Sequence, residues 1–324
     1  MSLMPIKMSL NKKFPILALS GGVGGVKLIQ GFTKILSPDQ LITIVNTGDD
    51  EEFLGLRICP DIDTTIYTLS GISNKKTGWG LEKESWKILK NLEKMGINQW
   101  FKIGDNDLVT HLIRTHFLKS GKTLTETTNK IRKLYGLKFK ILPMSDEWFK
   151  TKLITKNKKM SFQEYFVKEK SKPVINSIIW ENDNQKNISN PSNQFKKSLK
   201  LASSIVFCPS NPLLSIAPII KLKGIKKKIQ NFEGNKIMIS PIRSGHAFKG
   251  PTIKIMNELN YDPSPLGLIK FYKGLCNIFI LDPEDYKYKE DIIKEGIKPV
   301  FEPLELTTLD DKIRMAKKII SIIN

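Results

Sequence analysis

A chain of 324 residues, 40% of them hydrophobic, is long enough to bury a large core without disulfide or metal staples, and its three scattered cysteines, Cys59, Cys208 and Cys276, with no CxxC pair, exclude a disulfide framework and a cysteine zinc site. Lys and Arg outnumber Asp and Glu by 52 to 32, a net charge of +20 that attracts anionic partners; the lysines form scattered clusters with no RNP, zinc-finger or KH pattern beside them, which sets nucleic acid aside as a partner. No apolar run reaches the length of about 18 residues that a membrane span needs, and the leader "MSLMPIKMSLNKK" lacks a secretion signal, so a soluble cytoplasmic protein is expected.

The first apolar run, "FPILAL" (Phe14 to Leu19), has the length of a buried strand and stops at Ser-Gly-Gly. After the glycines, Val26, Leu28, Ile29, Phe32, Ile35 and Leu36 recur at helical spacing, and "LITIV" (Leu41 to Val45) is a second strand. Strand, glycine loop, helix and strand open a βαβ unit, which predicts an α/β fold with a mainly parallel sheet covered by helices. Three helical segments follow, 81–96, 106–121 and 123–136, the last opening on Thr123 and Glu126 as a capping box. Lys138 to Met144 reads as a strand. The polar stretch from about 150 to 193 reads as an irregular insertion or flexible flap within a single domain spanning 1–324. Further strands are predicted at Ser204 to Cys208, at Asn235 to Ser240 and in "CNIFIL", before an amphipathic helix from about Leu309 to Ile323. Loops bearing Pro and Gly recur at the strand ends. In an open α/β sheet those ends flank the ligand crevice, so the loops are expected to converge.

Three blocks can carry chemistry. The loop at Gly21, Gly22, Gly24 and Gly25 matches neither a Walker A sequence nor a full dinucleotide fingerprint, since Lys27 stands where the third glycine would be. It suits phosphate nonetheless: glycines let amides approach oxygen, the following helix presents its positive end, and Lys27 lies in the first turn. A tight strand-to-helix turn without ligand is the alternative. Asp49, Asp50, Glu51 and Glu52 follow the second strand, and Asp61 and Asp63 come a short loop later. Carboxylates from two segments suit Mg²⁺, which takes one or two of them and completes its octahedron with water and phosphate; each acid singly also suits a turn or an N-cap. Ser210 and Asn211, between Pro209 and Pro212, form a rigid polar loop that suits a base, a ribose or a phosphate, or a plain turn. His111 and His116 are five residues apart and His246 lies in a glycine loop, a pattern that does not make a zinc site, and there is no GxSxG elbow.

Eight blocks in order, "LSGGVGGVKLIQG", "VNTGDD", "LRICPDIDTTIYTLSG", "GWG", "IGDNDLVTHLIR", "LPMSDE", "PSNPLLSIAPI" and "SPIRSGHAFKGP", resemble the 2-phospho-L-lactate transferase family of coenzyme F-420 biosynthesis. The resemblance implies a Rossmann-like, doubly wound domain with a helical addition, dependence on Mg²⁺ and a homodimer. It also implies an activity: a phosphorylated three-carbon acid passes from a guanosine diphosphate-linked donor to the ribityl hydroxyl of the deazaflavin Fo, and GMP leaves. Residue by residue, it puts the metal-binding and catalytic acids at Asp49 and Asp63, the latter also near the ribityl end. The diphosphate is put at Gly21, Gly22, Gly24, Gly25 and Lys27, the guanosine side at Ser210 and Asn211, and Asn46 and Thr47 on the same crevice. Asn106 stands where many members carry Arg, and Arg243 is expected to restore that charge. A sister family of nucleotide-sugar-binding gluconeogenesis factors, regulators without catalysis, shares the glycine-rich start. Its members carry a Pro-Gly-Asp-Ile-Arg type sequence where this chain has "CPDIDTTIYTL", and Asp63 separates the two.

Overall fold

A computed structural model describes residues 15–97, 100–247 and 250–324. Phe14 and the leader before it lie outside the described residues, as do Phe248 and Lys249 of the block at 240–251. Seven strands form the central sheet: β1 (Ile16–Ser20), β2 (Leu41–Val45), β3 (Lys140–Pro143), β4 (Ser204–Phe207), β5 (Asn235–Ile239), β6 (Ile278–Leu281) and β7 (Lys298–Phe301). Their order is β7-β6-β5-β4-β1-β2-β3 and every neighbouring pair is parallel, so the expected α/β class is the observed one. β1 and β2 are buried along their whole length, which is why they read as unbroken apolar runs.

Side chains of β1 alternate between the faces. Ile16 and Ala18 pack with Leu28, Ile29 and Phe32 of α1 (Gly25–Phe32) and with Met315 and Ile319 of the helix Leu309–Ile323. Leu17 and Leu19 point the other way, into the largest cluster, with Phe207, Leu213 and Phe149. The helical addition is made by α2 (Pro60–Leu69), α3 (Lys87–Lys94), α4 (Asp105–Lys119) and α5 (Leu124–Leu134). Thr123 and Glu126 form the expected capping box. α3 is shorter than the pattern over 81–96 predicts, because Glu84 is turned to cap α4, accepting from the backbone N–H groups of Asn106 (2.7 Å) and Asp107 (3.1 Å). Asp105 returns the cap to Lys87 (2.9 Å) and Ile88 (3.1 Å).

The expectation of irregular chain over 150–193 is corrected. Lys159–Ser161, Lys150–Thr155 and Ile175–Glu181 form a three-stranded antiparallel sheet, whose Leu153, Met160 and Ile175 join the largest cluster. Lysines on the outward positions hide the alternation in sequence. Among the described residues no helix is long and apolar enough to cross a membrane.

Candidate active site

From β1 the chain builds β2 and β3 on one side and β4 to β7 on the other, so the loops after β1, β2 and β4 surround the point where the winding reverses. Ligands of open α/β sheets bind at such a point, because neighbouring loops part there. Asn46 N–H to Ser20 carbonyl (2.9 Å) and Cys208 N–H to Leu19 carbonyl (3.0 Å) carry the ladders to the last residues before the loops. The N–H of Gly21 donates to Ser210 Oγ at 3.1 Å, tying the first loop to the third. A Cβ on Gly25 would stand 2.1 Å from Ser20 Oγ and 2.5 Å from Ser210 Oγ, so only glycine fits. Val23, Gly24 and Gly25 keep amides with no protein acceptor among the described residues, at the N-terminal end of α1. That is the geometry of an anion seat. Half-buried Lys27 follows in the first turn.

The acids divide. Asn46 Nδ2 donates to Asp49 Oδ1 (2.8 Å) and to Asp61 Oδ2 (3.0 Å), and Gly48 N–H holds Asn46 Oδ1 (2.8 Å) so that the amide faces both carboxylates. Burial raises Asp49 well above the ordinary carboxylate value, and the charges of Asp61 and Asp50 raise it further. Burial likewise pushes Asp61, which stays partly exposed, up to about 7, against the pull of the Asn46 amide and the Gly22 N–H. Two carboxylates sharing one neutral donor are short of positive charge.

Asp63, expected opposite Asp49, is not the acid brought to it; Asp61 is. Residues two apart on a helix point roughly 200° from each other, so α2 can aim only one at the glycine loop. Asp63 turns instead to buried Arg114 of α4, whose Nη1 donates to its Oδ2 at 3.0 Å and whose Nη2 is in close contact with Oδ1. Behind it His111 Nδ1 lies 3.2 Å from Arg114 Nη1 and its Nε2 3.4 Å from Asp107, which accepts from Tyr67 Oη at 2.6 Å. Asp50 is matched too: Arg57 donates to it through Nη2 (2.7 Å) and Nε (3.2 Å) while stacking on Trp148.

Among the other expected site residues, Asn211 braces its own loop. Asn211 Oδ1 accepts from the N–H groups of Leu213 and Leu214, both at 2.9 Å, and Nδ2 donates to Thr252 (3.0 Å). Thr47 is fully buried and its Oγ1 finds no partner among the described residues. Asn106 is exposed, and Arg243 is engaged by Glu305 at 3.0 Å and Glu284 at 3.7 Å. Arg114 and the bridging role of Asn46 were not legible in sequence; the glycine and acid spacing was. The pair Asp49 and Asp61 suits Mg²⁺ as two of six ligands, and among the described residues no cluster of three acids, histidines or cysteines supplies a fuller cage.

The family model described as 2-phospho-L-lactate transferase CofD matches residues 16–318. The chain belongs to the 2-phospho-L-lactate transferase family. Among its relatives, the 2-phospho-L-lactate transferase of Methanocaldococcus jannaschii is 32% identical over 311 residues, 95% of this chain and 97% of that one. The transferase of Methanococcoides burtonii is 31% identical over 95% of this chain and 99% of that one. A solved structure of a UPF0052 family protein from Bacillus halodurans superposes with a TM-score of 0.61 at 15% identity, covering 95% of this chain and 99% of that one. That likeness concerns the fold alone. The family places this chain among transferases.

Proposed function

We propose that this transferase moves a phospho-three-carbon acid, lactate or enolpyruvate, from a guanosine diphosphate-linked donor to the terminal ribityl hydroxyl of the deazaflavin Fo, releasing GMP, as a step toward coenzyme F-420. The observation that carries the reading is the pairing of Asp49 and Asp61 through Asn46 beside the unclaimed amides of Val23, Gly24 and Gly25. Asp49 and Asp61 would hold Mg²⁺, which when bound neutralises charge on the diphosphate oxygens.

The amides at the start of α1, with Lys27, would receive the diphosphate and keep its oxygens fixed, and Ser210 on its proline-flanked loop would border the guanosine side. The hydroxyl oxygen, releasing its proton to solvent, forms a bond to the phosphorus next to the three-carbon acid as the bond to the GMP oxygen breaks. Such a transfer needs alignment and fixed dipoles more than a covalent helper, and none of the three buried cysteines lies open as a nucleophile. Exposed Leu54, Val109 and Leu112 over the helical addition are in keeping with a homodimer.

Incubation with Mg²⁺, Fo and each guanosine diphosphate-linked acid, followed by mass measurement, is expected to give Fo enlarged by the phospho-acid, together with GMP. Binding of a UDP-sugar with no gain in mass of Fo would sink the proposal.

A further inference from the structure

An open cavity of about 400 Å³ lies between the hairpin after Asp50 and the outward face of the antiparallel sheet, with Glu51, Phe53, Trp100 and Lys152 in its wall. The strand Lys150–Thr155 abuts the acid loop: Thr151 N–H donates to the Gly48 carbonyl at 2.5 Å. Thr151 and Leu153 point inward, which puts Lys150 and Lys152 together on the outward face. Glu51 ties this cavity to the crevice, since its charge bears on both Asp49 and Lys152.

Among the described residues, the other cations at this cavity are paired. Lys150 holds Glu51 (3.1 Å), Lys159 holds Glu181 (2.5 Å) and Lys168 lies 3.7 Å from Glu164. Arg57 and Arg114 are matched by Asp50 and Asp63. Half-buried Lys152 has no ion pair and no side-chain hydrogen bond among the described residues, and Glu52, the remaining acid of the wall, lies beyond ion-pair distance. Burial draws its ammonium below the ordinary lysine value, helped by Lys150 and Lys159 and opposed by Glu51 and Glu181, none of which contacts it. A partly desolvated cation without a partner gains most from an incoming anion.

Whichever acid is transferred carries one carboxylate, and beside a loop holding Asp49, Asp50 and Glu51 such a group would require a cation. We propose that Lys152 receives the carboxylate of the transferred three-carbon acid, making this cavity the specificity pocket for that group. The inference rests on the transfer reaction proposed above.

Calorimetric titration of the full chain, with Mg²⁺ and without acceptor, would compare the guanosine diphosphate-linked lactate with its carboxamide analogue. Lys152→Gln is expected to weaken the carboxylate donor roughly 10- to 100-fold, the range for a hydrogen bond to a charged group. The carboxamide should bind both proteins alike, and Lys152→Arg should restore most of the loss. An equal loss for both ligands, or no loss for either, overturns the role of Lys152. Carboxylate selectivity in a wild-type protein that transfers nothing to Fo would instead overturn the proposed reaction, so the two failures are distinct.

Discussion

Asp61 and Asp63 stand two residues apart at the start of α2, yet their surroundings are opposite. Asp63 meets a buried guanidinium from α4, in a network that also takes in His111, Asp107 and Tyr67. Asp61 meets a second carboxylate and shares one amide with it. One region is electrostatically complete within the protein, and the other becomes complete only when something positive arrives. That contrast separates an acid whose charge the protein itself balances from one whose charge it leaves unbalanced, although the two have the same side chain and both lie in the first turn.

The contrast breaks hardest at Arg114. Replacing it by Met would leave Asp63 charged, buried and unpaired, which costs about 3–5 kcal/mol. The urea midpoint should fall accordingly, and adding Asp63→Asn should recover much of the loss. If Arg114→Met instead unfolds at the wild-type midpoint while turnover collapses, Asp63 belongs with the ligand-facing acids.

Asp61→Asn should act the other way. Turnover is expected to fall about 10²–10³-fold, as when one important electrostatic contact is removed from an active site. Stability of the metal-free protein at pH 7.5 should hold or rise, because the substitution relieves like-charge repulsion with Asp49. A parallel fall in both quantities would mark Asp61 as structural.

Much of this frame was legible in the sequence. β2 spans the predicted Leu41–Val45, and the glycine loop announces itself between a buried strand and a helical stripe. Edges and lysine-rich strands were not legible. β7 is a half-exposed four-residue strand containing Pro299, and "KTKLIT" conceals its inward Thr151 and Leu153 between lysines. At the site, the sequence offers both Asp61 and Asp63 and does not say which faces the loop. Pro60 at the first helical position marks where α2 begins, and an i,i+2 pair on a helix cannot share a face, so only one of the two acids can turn to the loop. The partner of Asp63 lies 51 residues away on another helix, a contact that no local pattern encodes.

A finer cut through the same contrast is Gly22. A Cβ there would lie 2.4 Å from Asp61 Oδ1 and 3.3 Å from its Cα, so Gly22→Ala must push the carboxylate away from Asn46 and Asp49. Asp63, on the opposite side of α2, should be untouched. The Mg²⁺ concentration for half-maximal turnover is expected to rise about 10- to 100-fold, as when a group orienting a metal ligand is lost. An unchanged requirement would mean that Asp61 does not hold the ion.

The smallest effect, and the one that reads the imbalance directly, is on pH. Asp61 titrates at about 7 in the folded chain against an ordinary 3.8, so the folded state binds that proton more tightly than the unfolded state does. Its contribution is therefore present at low pH and is lost as pH rises from about 4 through about 7. Asp49, Asp50 and Asp285, also raised, act with the same sign, while Asp105, Asp107 and Glu126, lowered from their ordinary values, contribute with the opposite sign toward the acid end. With EDTA present, the melting temperature should drop by about 2–4 °C between pH 5 and 7.5. Asp61→Asn should flatten the drop, and saturating Mg²⁺ should do the same, because the ion binds the carboxylates that deprotonation exposes. A metal-free protein that gains stability over this window, with the same slope in Asp61→Asn, would mean that the two acids of the crevice are as well matched as Asp63 and Arg114.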